Sequence, residues 1–191
     1  MNLKFLHLHL HGLIRSKNLE LGRDSDTGGQ TQYVLELVKS LANTSGVDQV
    51  DLVTRCIKDN KVHNDYSINK EYIEPGAKIL RFQFGPSKYL RKELLWPYLE
   101  ELTQNLVNYY QKPENKPSWI HAHYADAGYV AVRLSKALGV PFIFTGHSLG
   151  REKKRKLLEA GLKTNQIEKL YFIDKRIKSE EEALKLSLIH I

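Results

Sequence analysis

GRDSDTGGQ, residues 22–30, lies between an apolar run and an amphipathic one, and its setting decides the fold. LKFLHLHL (3–10) precedes it across a polar loop and reads as a strand. After it, Val34, Leu37, Val38 and Leu41 fall at i, i+3, i+4 and i+7, one face of a helix. Asp26 or Thr27 is the expected N-cap. Two adjacent glycines, Gly28 and Gly29, remove both Cβ atoms where the helix begins. A ligand can then approach unpaired backbone N–H groups at the positive helix end. Gln30, in the first turn, is placed to hydrogen-bond a sugar hydroxyl. A plain loop-to-helix turn that uses glycine for its geometry accounts for Gly-Gly alone at least as well. The stretch is neither GxGxxG nor a phosphate loop followed by Lys-Ser/Thr.

Outward from this point the alternation continues. QVDLVTRC (49–56), KILRFQF (78–84), SWIHAH (118–123) and PFIFTGH (141–147) read as strands. Leu95, Leu99, Leu102 and Leu106 predict a helix over 93–111, with Pro97 early enough that its missing N–H costs little. Ala127, Val130, Ala131, Leu134 and Leu138 predict another, and two more follow at about 150–161 and 166–186. Residues 57–77 are polar and read as irregular. Short apolar runs alternating with amphipathic stretches predict an α/β fold, a Rossmann-like parallel sheet with helices on both faces. The chain closes on SLIHI, a nascent apolar strand, and 1–191 is expected to be one domain of a longer protein, truncated at its C-terminus.

Composition narrows the class. The chain has 191 residues, 41% hydrophobic and 27% charged, which suits a globular protein with a real core. No run approaches the roughly 18–20 apolar residues of a membrane span, and the N-terminus lacks a signal-peptide pattern. The single cysteine, Cys56, excludes an internal disulfide and a Cys-based zinc site, and a reducing cytoplasm is expected. Lys and Arg number 29 against 22 acids, a net +7 that suits an anionic partner. The basic residues cluster at Lys88, Arg91 and Lys92, at REKKRK (151–156), and at Lys175, Arg176 and Lys178. Arg176 and Glu180 read as an ordinary i,i+4 pair on an exposed helix. The aromatic residues do not interleave with the basic run and no nucleic-acid motif occurs, so neither nucleic acid nor membrane is an expected partner.

HAHYADAG (121–128) and TGHSLG (145–150) each close a strand, and in open parallel sheets ligands collect at the carboxyl ends of strands. His147, between Gly146 and Gly150, can be aimed sharply into a cleft, with Lys153 just beyond. His7, His9 and His11 read as strand or strand-end residues, and His121 as core or as a residue just behind the site.

GRDSDTGGQxxYVxE, FGxxKYLxKExLWPY, HAHYADAG and TGHSLG, in this order and spacing, resemble the N-terminal half of the sucrose-phosphate synthase family. The similarity runs through residues 3–191. It implies a retaining glycosyltransferase of the GT-B type, two Rossmann-like domains facing across a cleft. The family transfers glucose from UDP-glucose to fructose 6-phosphate. The acceptor sits in the N-terminal domain, and the nucleotide sugar sits largely in a C-terminal donor domain whose motifs are absent from this chain. Position by position, the resemblance puts Gly28 and Gln30 on the fructosyl unit and turns the Gly29 amide toward the donor. Lys92, Ser148, Lys153 and Arg176 reach the acceptor phosphate, His147 sits by the transferred glucose, and Tyr124 lines the cleft. No resident cofactor or protein-bound metal is expected, with magnesium at most stimulating diphosphate departure. Other glucosyltransferases of the fold, such as sucrose synthase, and a catalytically silent sugar-phosphate-binding module are the competing readings.

Overall fold

Apolar residues at period two along the strands give the sheet two buried faces. Val50, Leu52 and Ile79 pack to one side with Val34, Leu35 and Val38. Leu6, Leu8, Val53, Leu80, Ile120 and Phe144 pack to the other. The computed structural model describes residues 2–191, apart from the His190 side chain. It contains β1 (Leu3–Leu8), α1 (Gly29–Ala42), β2 (Val47–Arg55), β3 (Lys70–Glu74), β4 (Ala77–Phe82), α2 (Leu99–Tyr110), β5 (Trp119–His123) and α3 (Ala125–Leu138). β6 (Phe142–Thr145), α4 (Gly150–Glu159), α5 (Thr164–Tyr171), α6 (Ile173–Leu186) and β7 (Ile189–His190) complete it.

The sheet order is β3-β4-β2-β1-β5-β6-β7. All neighbours are parallel except β3 and β4. From β1 the chain first winds one way, through α1 to β2 and on to β4. It then returns through α2 to β5 on the other side of β1 and continues through α3 to β6. Right-handed crossovers in opposite directions put α1 on one face and α2 and α3 on the other. The reversal lies between β1 and β5, and it opens a crevice at their carboxyl ends. Gly128 shows how tightly this side is packed: a Cβ there would lie 2.8 Å from the Phe144 ring, so only glycine lets α3 settle onto β6.

Several sequence expectations are corrected. Residues 57–77 are not irregular throughout, because Lys70–Glu74 form β3 against β4. Its alternation was hidden by charge, since β3 is an edge strand. The helix expected from 93 starts at Leu99, after two 3-10 turns at Lys92–Leu94 and Trp96–Tyr98 that accommodate Pro97. The stretch 166–186 breaks at Phe172, which adopts a left-handed conformation, φ 47°, between α5 and α6. On α1 the buried set is Thr31, Val34, Leu35 and Val38, while Leu37 and Leu41 are half-buried. Within SLIHI, Ile189–His190 form a short strand paired in parallel with β6.

Candidate functional site

The N-cap of α1 is Gly28 rather than Asp26 or Thr27. Both of those side chains have other work. Thr27 Oγ1 accepts from the Leu13 amide at 3.1 Å, and Asp26 accepts from Lys92, backbone N at 2.8 Å and Nζ. Neither geometry nor packing calls for glycine at 28 or 29. Gly28 is extended, φ −133°, a conformation open to any residue, and a Cβ at either position would meet no protein atom within 4 Å. Both glycines instead border open space. The contrast is Gly12, where φ is +75° and a Cβ would lie 2.2 Å from the Asp26 carbonyl oxygen, so that glycine is structural.

The space they border is a cavity of about 440 Å³ at the switch-point crevice. Gly28, Gly29, Gln30, Lys92, Tyr124, His147, Ser148, Lys153 and Arg176, every site residue named from the sequence, line it. His11, Ser25 and Asp26 line it as well. Two of its residues have strained backbones. Tyr124, which follows β5 directly, has φ 79° and ψ 170°, a region otherwise left to glycine, and His147 has φ 55°. Such conformations cost on the order of 1–3 kcal/mol each. Tyr124 is held by the Arg176 guanidinium 4.4 Å over its ring and by the edge of His11 at 4.8 Å.

One wall is ionic. Lys92 pairs with Asp26, and its Nζ is also 3.5 Å from Glu93. Lys153 Nζ lies 3.5 Å from Glu93 and 3.9 Å above the Tyr171 ring. Arg176 donates from Nε to Glu180 at 2.8 Å, and from Nη2 to Ser148 O at 2.8 Å and Oγ at 3.1 Å. The Arg176–Glu180 pair is therefore not on an exposed helix face, since each side chain is only 4% accessible. Glu180 also accepts from the Gly150 amide at 2.7 Å, which ties α6 to the start of α4. Burial alone would raise the Asp26 pKa, but the Lys92 hydrogen bonds and charge bring it below the usual carboxylate range. Burial depresses the Lys153 pKa; Lys92 and Arg176 push the same way, and Glu93 opposes them.

On the other side, the lining residues His11 and His147 are backed by a buried cluster of histidines. His7, His9, His11, His121, His123 and His147, six of the eight in the chain, gather at the ends of β1, β5 and β6. His7 pairs in register with His121 across β1 and β5. His11 Nδ1 lies 2.7 Å from Asp126 in the first turn of α3. Gln30 Nε2 lies 3.2 Å from His9 Nδ1, and His121 Nε2 lies 2.8 Å from Thr145 Oγ1. Burial, and then repulsion from neighbouring rings, holds His7, His9 and His123 well below the ordinary histidine range. The same causes bring His121 and His147 to about 4. At neutral pH these five rings are uncharged.

Sequence reading missed Asp26, Glu93, Glu180, His11 and Asp126 as parts of the site. The period-two spacing of histidines at 7, 9, 11 and at 121, 123 was the available signal, because two adjacent strands then place them on one sheet face. Asp24-Ser25-Asp26 has the spacing of a carboxylate metal pair, but Asp24 accepts from the Asp26 amide at 2.9 Å and Asp26 holds Lys92. His7, His121 and His123 bring ring nitrogens within 4.8 Å of one another, the one group among the described residues with metal-ligand spacing. No helix among the described residues is long and apolar enough to cross a membrane.

A family model described as a glycosyl transferase 4-like domain matches residues 28–168. The chain belongs to that family. It is also 44% identical to a probable sucrose-phosphate synthase 1 of Citrus unshiu and 43% identical to sucrose-phosphate synthase 4 of Arabidopsis thaliana, each over 96% of its own length. It spans about a fifth of the length of these curated relatives, 20% in both cases. The fold of this glycosyltransferase domain is shared with a solved sucrose-phosphate synthase of Thermosynechococcus elongatus. That match has a TM-score of 0.77 at 24% identity and covers 99% of this chain and 42% of the other. The α/β architecture expected from the sequence is the one observed.

Proposed function

We propose that this domain is the acceptor side of a retaining glucosyltransferase that moves glucose from UDP-glucose to fructose 6-phosphate, giving sucrose 6-phosphate and UDP. One observation carries the reading. Gly28 and Gly29 have no internal reason to be glycine, and they open onto a cavity whose far wall holds Lys92, Lys153 and Arg176. A sugar can lie against the bare backbone while its phosphate meets the cations. The similarity to sucrose-phosphate synthases supports the same assignment.

In this reading Gly28 and Gln30 hold the fructosyl unit, and the Gly29 amide faces the donor. The cations already have acid partners, so the wall is preorganised rather than strongly positive. The 3.5 Å contacts of Glu93 with Lys92 and Lys153 are the long ones, and their N–H groups are the ones a phosphate takes over. Ser148 and Arg176 complete the phosphate site. Transfer joins the acceptor hydroxyl oxygen to the anomeric carbon, breaks the bond to the diphosphate oxygen, and passes the hydroxyl proton to the departing diphosphate. His147 stands beside the transferred glucose, and Tyr124 closes the side of the cleft. The domain needs no cofactor of its own in this scheme, and UDP-glucose is held largely by a second lobe.

Calorimetric titration of the chain tests the proposal. A charge-assisted hydrogen bond contributes about 1.5–3 kcal/mol, so one suffices for roughly tenfold or more. Fructose 6-phosphate should bind at least tenfold more tightly than fructose, and Lys153→Gln should remove most of that difference. Equal affinity for the two sugars would overturn the assignment.

A further inference from the structure

We infer that a relay of three histidines, running from the sheet interior to the cavity, fixes the tautomer of His147 so that its Nδ1 carries the proton. The relay is continuous. His7 Nδ1 lies 3.1 Å from His123 Nε2, and His123 Nδ1 lies 3.2 Å from His147 Nε2. His7 and His123 are fully buried on adjacent strands, which keeps the rings in place, and His147 is the open end.

A neutral imidazole has one N–H and one lone pair, on opposite nitrogens. Burial keeps His7 and His123 neutral at pH 7, and partial desolvation together with repulsion from His11 holds the His147 pKa down to about 4. Each link of the relay needs one donor and one acceptor, and His123 uses both of its nitrogens. The protons therefore all point one way, and two arrangements remain.

If they point inward, His147 and His123 carry theirs on Nε2, and the last proton sits on His7 Nε2. That atom is buried and has no partner. If they point outward, all three rings are protonated on Nδ1 and His7 Nε2 is a bare lone pair. A buried donor left without an acceptor is the rarer and costlier defect. The outward arrangement is therefore the stable one. It leaves the proton of His147 on Nδ1, which has no partner among the described residues and is free to donate to a ligand.

The result reverses the default, because free neutral histidine in water favours Nε2–H. His7 and His123 are thus positioning residues: they touch no ligand, but they make His147 a hydrogen-bond donor at a chosen atom. A fixed donor needs no reorientation when a hydroxyl or a leaving-group oxygen arrives. That the occupant is a sugar rests on the function proposed above, whereas the tautomer does not.

Two-bond proton–nitrogen correlation spectra of the 15N-histidine-labelled chain at pH 7.5 read each ring directly. His7, His123 and His147 are expected as Nδ1–H tautomers, with His147→Gln assigning the decisive signals by their loss. In His123→Phe, which keeps a ring in the core, His147 should change from predominantly Nδ1–H to predominantly Nε2–H. If that variant does not fold, the wild-type spectrum decides alone. Nε2–H at His147 in the wild type overturns the relay. So does a ring pattern that collapses on adding a chelator, since the nitrogens would then belong to a cation. Nδ1–H at His147 together with failed sugar binding would keep the relay and discard the function, and the opposite pair of results would do the reverse.

Discussion

The two walls of the cavity are both rich in titratable groups, yet they are built on opposite principles. The ionic wall buries full charges and matches each with a partner: Lys92 with Asp26, Arg176 with Glu180, Lys153 with Glu93. The histidine wall keeps its rings neutral chiefly by burying them, with repulsion between crowded neighbours adding to that. The first offers attraction to an anion at the cost of desolvating ions. The second offers directed hydrogen bonds in a low-dielectric setting with no net field. In the function proposed above, the first would take the phosphate and the second the sugar hydroxyls.

The ionic wall breaks most severely. Glu180→Ala leaves Arg176 charged and 3% exposed without its carboxylate, and it removes the acceptor of the Gly150 amide. A loss of about 3–5 kcal/mol is expected from such a truncation, read as a lowered urea midpoint. Replacing Arg176 and Glu180 together by Met and Leu should cost much less. If the double variant is no better than the single one, the pair does not behave as a matched unit.

Acid separates the walls. For His121 the folded pKa is about 4 against an ordinary 6.5, so the unfolded chain binds a proton across that interval that the folded chain refuses. Its contribution is complete above pH 6.5 and drains away as the pH falls toward 4. The slope is at most about 1.4 kcal/mol per pH unit for each ring that behaves this way. Asp26 has its pKa lowered from 3.8, so its contribution persists until the pH falls below that range. Denaturation at pH 7, 6.3 and 5.5, above the range where Glu20 and Glu71 begin to protonate in the unfolded chain, should therefore show a decline that belongs to histidine, shallower in His121→Gln. A flat profile over that range would show that the rings charge in place.

The smallest effect on stability is expected at Gly29. Alanine meets no atom there and is the better helix former, so Gly29→Ala should leave stability unchanged or raise it by up to about 1 kcal/mol. Affinity for fructose 6-phosphate should nonetheless fall at least tenfold by calorimetry. A destabilised variant would make the glycine structural and remove the main support for the site.

The parallel strands and α1 and α3 were legible because their apolar residues repeat at the period of the element. β3 was not, since Lys70, Glu71 and Glu74 mask the alternation of a strand with one partner. The cavity-lining residues were reached through motifs and resemblance, and they converge in space. The acid partners of Lys92 and Lys153 were not reached. Asp26 and Lys92 are 66 positions apart and Glu93 and Lys153 are 60, and nothing local announces such a pair. Arg176 and Glu180 were recognised as a pair but assigned to solvent, because i,i+4 spacing says nothing about which helix face is covered. The same limit applies to His7 and His123, whose meeting depends on the register of two strands.

The reversed edge strand also bears on how copies of the chain meet. A parallel sheet ending on β4 would present an uninterrupted row of backbone donors and acceptors to any other molecule. β3 covers that row with five residues running the other way. It shifts register between Tyr72 and Glu74, and Lys70, Glu71 and Glu74 sit along its length. Irregular pairing and charge are the features by which natural sheets discourage edge-to-edge growth. On this flank a second copy finds no flat, apolar template, and concentrated protein is guarded there against joining sheet to sheet.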